Sequence, residues 1–478
     1  MTGTKFSVLL ISIAIIECIS ASCPQYDEYC DCFRNYYEAY NETVCRGKGL
    51  SEVPTKLKSN TGFLRLISTS ITRIPPGLPT SIYHLELTSS NLRMSPDDYV
   101  NIPSSVSYLD LSRNEKISTF NMSYLDHVPE LRHLKLSYNP LTSLDVSAPS
   151  PLDGRLQELY LDGMMWKTLD TTGYELRKDH GYTKLYARNG IIEKVKFNFY
   201  AREDVQIMLE NNRISTFDAT KVNLDGIKKL DLSRNPIQHL DFSSGADELG
   251  ILHLRNINMK IFDGSKFHLP YLHELDLSDN PIESIYTNGL TLTANFILKN
   301  TSLTCIDDRN EGLSNFYKRS KTNAFAETNL DLENNDLKTL SLTQGQIDTL
   351  NIKGNKNIAR IKFHLLPKDL RADLNSLPCD CCLLKLFEKH WNFDLSKGRV
   401  CRNADVYNDN ITTLADAIGC DLNRSKTDIC ESTPPMPSCD GVFKIRPTTP
   451  APPTTAAIEP TTLSSAGEIQ LDIRLEIL

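Results

Sequence analysis

The stretch IKKLDLSRNPIQHL, residues 227–240, places Ile227, Leu230 and Leu232 at its first, fourth and sixth positions and Asn235 at its ninth. In an extended chain successive side chains point to opposite faces, so Leu230 and Leu232 turn one way and Asp231 the other. Two further copies are as clear: LRHLKLSYNPLTSL from Leu131 and LHELDLSDNPIESI from Leu272. The same template places ninth positions at Thr69, Ser90, Asn114, Asn139, Met164, Gly190, Asn212, Asn235, Ile257, Asn280, Thr301, Asn335, Asn355 and Asn375, about fourteen repeats. Their spacing is 20 to 26 residues, except for one step of 34 between Thr301 and Asn335, where an insertion near 302–328 carries Cys305.

One such repeat cannot bury its apolar edge alone; stacking it on its neighbours does. The expected fold is an α/β solenoid, a curved array with a parallel concave sheet, whose strands about 4.8 Å apart make a ribbon on the order of 60 Å long. Asn at the ninth position suits an inward amide that satisfies backbone groups where the strand ends. Repeats of this length leave little room for full helices outside, so the convex side is expected to be mostly extended or 3₁₀, with short helices in the longer repeats. A solenoid needs lids at both ends, and the thirteen cysteines group near 18–45 and 379–439 with Cys305 alone between.

Composition narrows the class of function. Lys and Arg number 52 against 60 Asp and Glu, a net charge of −8, and 40% of residues are hydrophobic. That is ordinary for a folded soluble protein and gives no basic footprint for nucleic acid. Lys5, the apolar run from Phe6 to Ile16 and the small residues Ser20 to Ser22 read as a signal peptide over 1–22, too short for a membrane span. Removal of Cys18 leaves twelve cysteines, an even number that suits disulfides in the extracellular space. No later stretch reads as a span, so the mature chain is expected to be secreted.

The repeat string resembles the leucine-rich repeat family. Cys23, Cys30, Cys32 and Cys45, followed by RGKGLSEVPTKL, resemble the amino-terminal cap of its extracellular members, over 23–60. NSLPCDCCLLKL from Asn375 resembles the carboxyl-terminal cap, over 379–440, beyond repeats spanning 61–378. Both caps together are similar to those of Toll-like receptor ectodomains, chondroadherin and Slit-type proteins. The resemblance implies pairing of Cys23 with Cys32, Cys30 with Cys45, Cys379 with Cys401 and Cys381 with Cys420. Cys430 and Cys439 depart from the family pattern and would close a short loop that chain entropy favours. Cys305 and Cys382 are left: they bridge the insertion to the cap, or one joins a second chain in a disulfide-linked dimer. Thiolates in an oxidising compartment end as disulfides, so the Cys-x-Cys-Cys cluster is not read as a zinc site.

Sequons at Asn41, Asn121, Asn300, Asn410 and Asn423 are expected glycosylation sites. Asn300 stands at an eighth position, near the edge of the concave sheet, so a partner is expected to bind elsewhere on that face. Residues 441–478 read as a disordered Thr/Pro-rich tail, with five prolines and six threonines within 447–462. Enzyme and cofactor motifs are missing, and His133 and His253 at outward positions read as solvated. Binding is the expected activity. Outward positions in the third to sixth repeats bring Tyr108, His133, Lys135, Tyr138, Tyr160, Tyr186 and Arg188 side by side, and Tyr and Arg are the types that carry interface energy. The resemblance implies a receptor, adhesion or matrix protein, or a microbial surface, as partner, in adhesion, signalling or innate immunity. The second reading is a matrix component similar to the small leucine-rich proteoglycans.

Overall fold

The computed structural model describes residues 29–34, 41–54, 57, 59–145, 156–172, 183–197, 204–286, 294–307, 328–342, 347–363 and 367–372, with 381, 384–385, 420–421, 423 and 443–444. The expected signal peptide, most of the insertion and Cys23, Cys379, Cys382, Cys401, Cys430, Cys439 and Asn410 lie outside the described residues.

Strand pairing follows from the leucine period. One sheet of sixteen strands runs through the chain. Its first two strands, Cys30–Arg34 and Asn41–Arg46, form an antiparallel hairpin with Cys30 opposite Cys45, and a disulfide joins those two. The other fourteen strands, Thr61–Ile67 through Asp369–Arg371, are parallel and supply one strand per repeat. Fourth positions stand in register across the sheet, as in Leu109↔Leu134, Leu134↔Leu159, Ile207↔Leu230 and Leu252↔Leu275. A slip of one residue would turn every leucine to water. Leu109, Leu134, Leu230, Leu252 and Leu275 are all fully buried, each worth about 1.5–3 kcal/mol by area.

Two side-chain positions hold the coils together beyond the strands. At the ninth position, Asn235 Nδ2 donates to Leu209 O at 2.9 Å and to Leu232 O at 2.9 Å, while its Oδ1 accepts from Ile214 N at 3.1 Å. Asn114, Asn139, Asn212, Asn280, Asn335 and Asn355 likewise each donate to a carbonyl of their own coil and one of the preceding coil. At Gly190, one of the ninth positions without Asn, a Cβ would lie 2.7 Å from Met164 O and 2.8 Å from Asn212 Oδ1, so the neighbouring coils leave no room for a side chain.

The eighth position is the second device. Its residue is left-handed at every repeat where it is described, including Arg113, Tyr138, Asn211, Arg234 and Asp279 at φ 57–61°. This turn aims the ninth side chain inward. It is costly for residues with a Cβ and least so for Asn, Asp and Gly, which hold eight of the thirteen described positions.

The convex side is extended, as expected, and built from short parallel pairings such as Thr119–Asn121 with Ser143–Asp145, Thr168–Asp170 with Lys194–Lys196, and Thr216–Asp218 with His239–Asp241. One helical turn, Pro96–Val100, and 3₁₀ turns at Met122–Leu125 and Gly264–Lys266 complete it. Phe217, Phe242 and Phe267 stack beneath, with centroids 5.3 and 5.5 Å apart. An Asp closes several of these strands by accepting from the amide two residues on, as Asp218 does from Thr220 and Asp241 from Ser243. Cys381 and Cys420 are disulfide-bonded, and Leu384 beside them is buried in the same core. Cys305 is also disulfide-bonded.

One boundary moves. The tail was expected from residue 441, yet Phe443–Lys444 forms a strand parallel to Ile285–Tyr286 on the convex side. An unpaired strand edge accepts a further strand wherever the chain can reach it. The compact unit therefore runs to Ile445, and a second unit begins at Arg446.

Asn280→Leu tests the ladder. Asn280 serves the carbonyls of Leu254 and Leu277 and the amides of Ile257 and Met259. Leucine keeps the volume but orphans buried backbone groups, at about 1–3 kcal/mol each. Urea unfolding is expected to show a loss of about 3 kcal/mol or more; a loss under about 1 kcal/mol would contradict the ladder's role.

Candidate partner-binding face

The third, fifth and seventh positions of each coil stand on the concave sheet, about 4.8 Å from their counterparts on the next strand. On five adjacent strands, from His84–Thr88 to Thr183–Tyr186, they form one continuous aromatic and cationic surface. The His84 ring stacks on Tyr108 at 4.0 Å and 7°, and Tyr108 meets His133 at 5.9 Å. Lys135 Nζ lies 5.1 Å from the Tyr108 ring centroid and 4.5 Å from that of Tyr160. Tyr160 stacks on Tyr186 at 4.3 Å and 5°, and the Arg188 guanidinium covers Tyr186 at 4.8 Å.

Hydrogen bonds lock these rings in place. Tyr160 Oη donates to Glu158 Oε2 at 2.7 Å, and the same carboxylate receives Lys184 at 3.0 Å and stands 3.1 Å from His133 Nδ1. Burial would raise the Glu158 carboxyl, but these three bonds outweigh it and hold it low. Burial and the adjacent Glu158 carboxylate raise the Tyr160 hydroxyl strongly, so it stays a donor. Arg188 grips Asp162 through Nε at 3.0 Å and Nη2 at 2.8 Å, the paired geometry that a lysine cannot reproduce.

Tyr138 is placed differently from the other six. Its left-handed backbone throws the ring onto the rim, where Arg113 stacks on it at 4.4 Å. The ring passes over Gly163, whose Cβ would meet it at 2.3 Å, and its hydroxyl receives Asn189 Nδ2 at 3.4 Å. The structure thus brings six of the expected residues into one surface and sets Tyr138 at its border. His84, Arg113, Glu158, Asp162 and Lys184 were missed. Their signal was available, since each stands at a third, seventh or eighth position beside an expected residue.

Comparison with known sequences decides what the coils are. Profiles of the family described as leucine rich repeat match residues 80–141 and 268–284. The chain is a leucine-rich repeat protein. Lumican of Rattus norvegicus is 31% identical over 100 residues, 21% of this chain, and lumican of Bos taurus is 32% identical over the same length. The matched stretch spans 28% of lumican in each case. Among solved structures, the Drosophila Toll–Spatzle complex is similar over 71% of this chain and 51% of that one, at 21% identity and a TM-score of 0.47. InlJ of Listeria monocytogenes is similar over 65% and 63%, at 18% identity and a TM-score of 0.39.

Beyond Arg188 the leucine-rich repeat face changes character. His253, expected to be solvated, is largely buried between Asp231, 3.1 Å from its Nδ1, and Glu274, 2.8 Å from its Nε2. The outward fifth position is covered here by the carboxylates of both neighbouring strands. Burial would lower the imidazole, but bonds to both carboxylates outweigh it and hold it at about 9. The same bond pulls Glu274 down to about 2. Burial and the neighbouring Asp231 instead raise the Glu210 carboxyl. Further on, Asn329 donates to Asn295 and Asn295 to Glu274, while Lys299 bridges Asp331 and Glu333.

Glycan acceptors fall mostly away from the aromatic surface. Asn300 is exposed at its rim position, donating to Asp279 Oδ1 at 2.8 Å, and Asn423 is exposed. Asn41 and Asn121 are half-buried; Asn41 donates to Asn60 Oδ1 and Asn121 accepts from the Ser123 amide. Among the described residues no group of three or more His, Cys, Asp or Glu is placed to hold a metal ion, and no helix is long and apolar enough to cross a membrane.

His253 makes stability depend on pH in a stated direction. Its folded value of about 9 lies above the unfolded 6.5, so its contribution is complete below pH 6.5 and is lost as pH rises through 9. Urea unfolding at pH 6, 7.5 and 9 is expected to show this decline, and His253→Gln to abolish it. An equal decline in the variant would assign the slope to other groups.

Proposed function

We propose that this chain is a secreted, non-enzymatic glycoprotein that recognises a protein or a microbial surface through the first half of its concave face. The observation that carries the reading is the continuous surface from His84 to Arg188, in which rings stack on one another and cations are hydrogen-bonded or lie on ring faces within the chain itself. Large aromatic area with polar edges, already in contact within the chain, favours binding because side chains with preformed partners lose less entropy when a ligand docks. Secretion is supported by the signal-like amino terminus and by disulfides at both ends of the array.

A matrix role is the second reading, favoured by the identity with lumican. The two differ in extraction behaviour: a matrix component stays in the insoluble fraction, and a soluble recognition protein leaves with the medium.

The test is capture of secreted proteins and of bacterial cell-wall preparations by the full chain. Replacing Tyr160 and Tyr186 together by Ala is expected to weaken binding of the captured partner at least tenfold. Replacing Ile261 and Tyr271, exposed residues outside the concave strands, by Ser is expected to leave it unchanged. Equal affinity of the native chain and the tyrosine double variant would remove this face from the function.

A further inference from the structure

We propose that the partner of the aromatic surface presents a short acidic segment, whose carboxylates sit at Lys135 and Arg113 while its apolar side chains lie along Tyr160 and Tyr186. The proposal rests on the concave-face reading above and adds the partner's chemistry to it.

The argument is a balance of committed and uncommitted charge. Every carboxylate on this surface but one has a cation within hydrogen-bond distance: Glu86 holds Arg65 at 2.7 Å, Glu158 holds Lys184 at 3.0 Å and Asp162 holds Arg188 at 2.8 Å. The exception, Asp110, is buried and accepts the Ser112 amide at 2.9 Å, so it offers little to a ligand. Among the described residues no carboxylate stands within ion-pair distance of Lys135 or Arg113. Both cations instead lie against ring faces, Lys135 between Tyr108 and Tyr160 and Arg113 on Tyr138.

A cation on a ring face is positioned but not neutralised. The outward charged groups with no opposite charge in contact are therefore positive, and rings flank them. An incoming carboxylate would pair with a cation that has no competing anion to displace. In the next coils Asp231 and Glu274 hold His253, and Asp276 faces Arg255 at 3.6 Å, so the acidic and basic groups there are largely spent on one another and offer less to a longer anion. A protein segment with a few acidic residues fits this pattern. A long polyanion does not, on a chain of net charge −8.

The probes are fluorescein-labelled twelve-residue peptides of alternating Glu and Tyr, or of alternating Lys and Tyr, and a heparin dodecasaccharide. Each is titrated into the full secreted chain, with anisotropy read at 20 and 300 mM NaCl. The Glu–Tyr peptide is expected to bind more tightly than both others and to weaken at the higher salt. Lys135→Met with Arg113→Gln is expected to weaken it at least tenfold, and Lys135→Arg to retain it; circular dichroism and thermal midpoints confirm that the variants fold. Equal binding of the two peptides, an unchanged double variant, or tighter binding of heparin would each overturn the proposal. Its failure is separable from that of the face itself. If the Tyr160 and Tyr186 variant loses the captured partner while the Lys135 and Arg113 variant does not, the face stands and the acidic segment falls.

Discussion

Three-residue parallel strands make few hydrogen bonds with their neighbours, and the chain must leave each one abruptly without stranding its backbone groups inside an apolar core. The amide of the ninth residue meets that constraint. Asn235 or Asn280 offers two donors and an acceptor at the point where the strand stops, and each spans two coils. An unpaired buried carbonyl or amide costs about 1–3 kcal/mol. The ladder therefore acts as much against disorder in the stacking as for cohesion. It also narrows where another molecule can be met: the ninth-position amides are spent on holding coils together, and the side chains on the outside of the strands are left to face it.

The left-handed eighth residue makes the ladder possible and shapes the rim at the same time. Turning the ninth side chain in requires turning the eighth out, so Arg113, Tyr138 and Asn189 all arrive on one border through the same backbone geometry. Where that residue is Gly163, the absent side chain leaves a gap that the Tyr138 ring occupies. A fold device and a surface feature thus share one dihedral angle. Packing of the leucines needs neither the Tyr138 ring nor the Arg113 guanidinium that rests on it.

Most of the fold was legible because its period is regular. Leu or Ile at positions one, four and six, with Asn at nine, gave the strand, its buried face and its register, and Leu109, Leu134 and Leu230 stand in line as that spacing requires. The eighth-position signal was equally visible as an excess of Asn, Asp and Gly, but its meaning is a positive φ that alternation alone does not reveal. The convex Asp followed two residues later by Ser or Thr was another unread signal. Phe443–Lys444 could not be read at all: a two-residue strand has no period, and its place depends on a free edge more than 150 residues earlier.

The site divides in the same way. Position predicts neighbours, so Tyr108, Lys135, Tyr160 and Arg188 were placed together correctly. What position does not predict is which groups spend themselves on one another. His253 and His133 occupy the same kind of outward site, yet His253 is locked between two carboxylates and His133 shares one with Lys184 and Tyr160. That difference follows from Asp231 and Glu274 lying on the flanking strands, a pairwise fact spread over more than forty residues of sequence. It has a functional consequence. The second half of the face closes its charges internally through His253, Lys299 and the Asn295–Asn329 pair. The first half leaves Lys135 and Arg113 supported by rings instead of anions. Two stretches of one sheet, built on the same coil, differ in what they leave unsatisfied, and the proposed partner is the one that would complement the unsatisfied part.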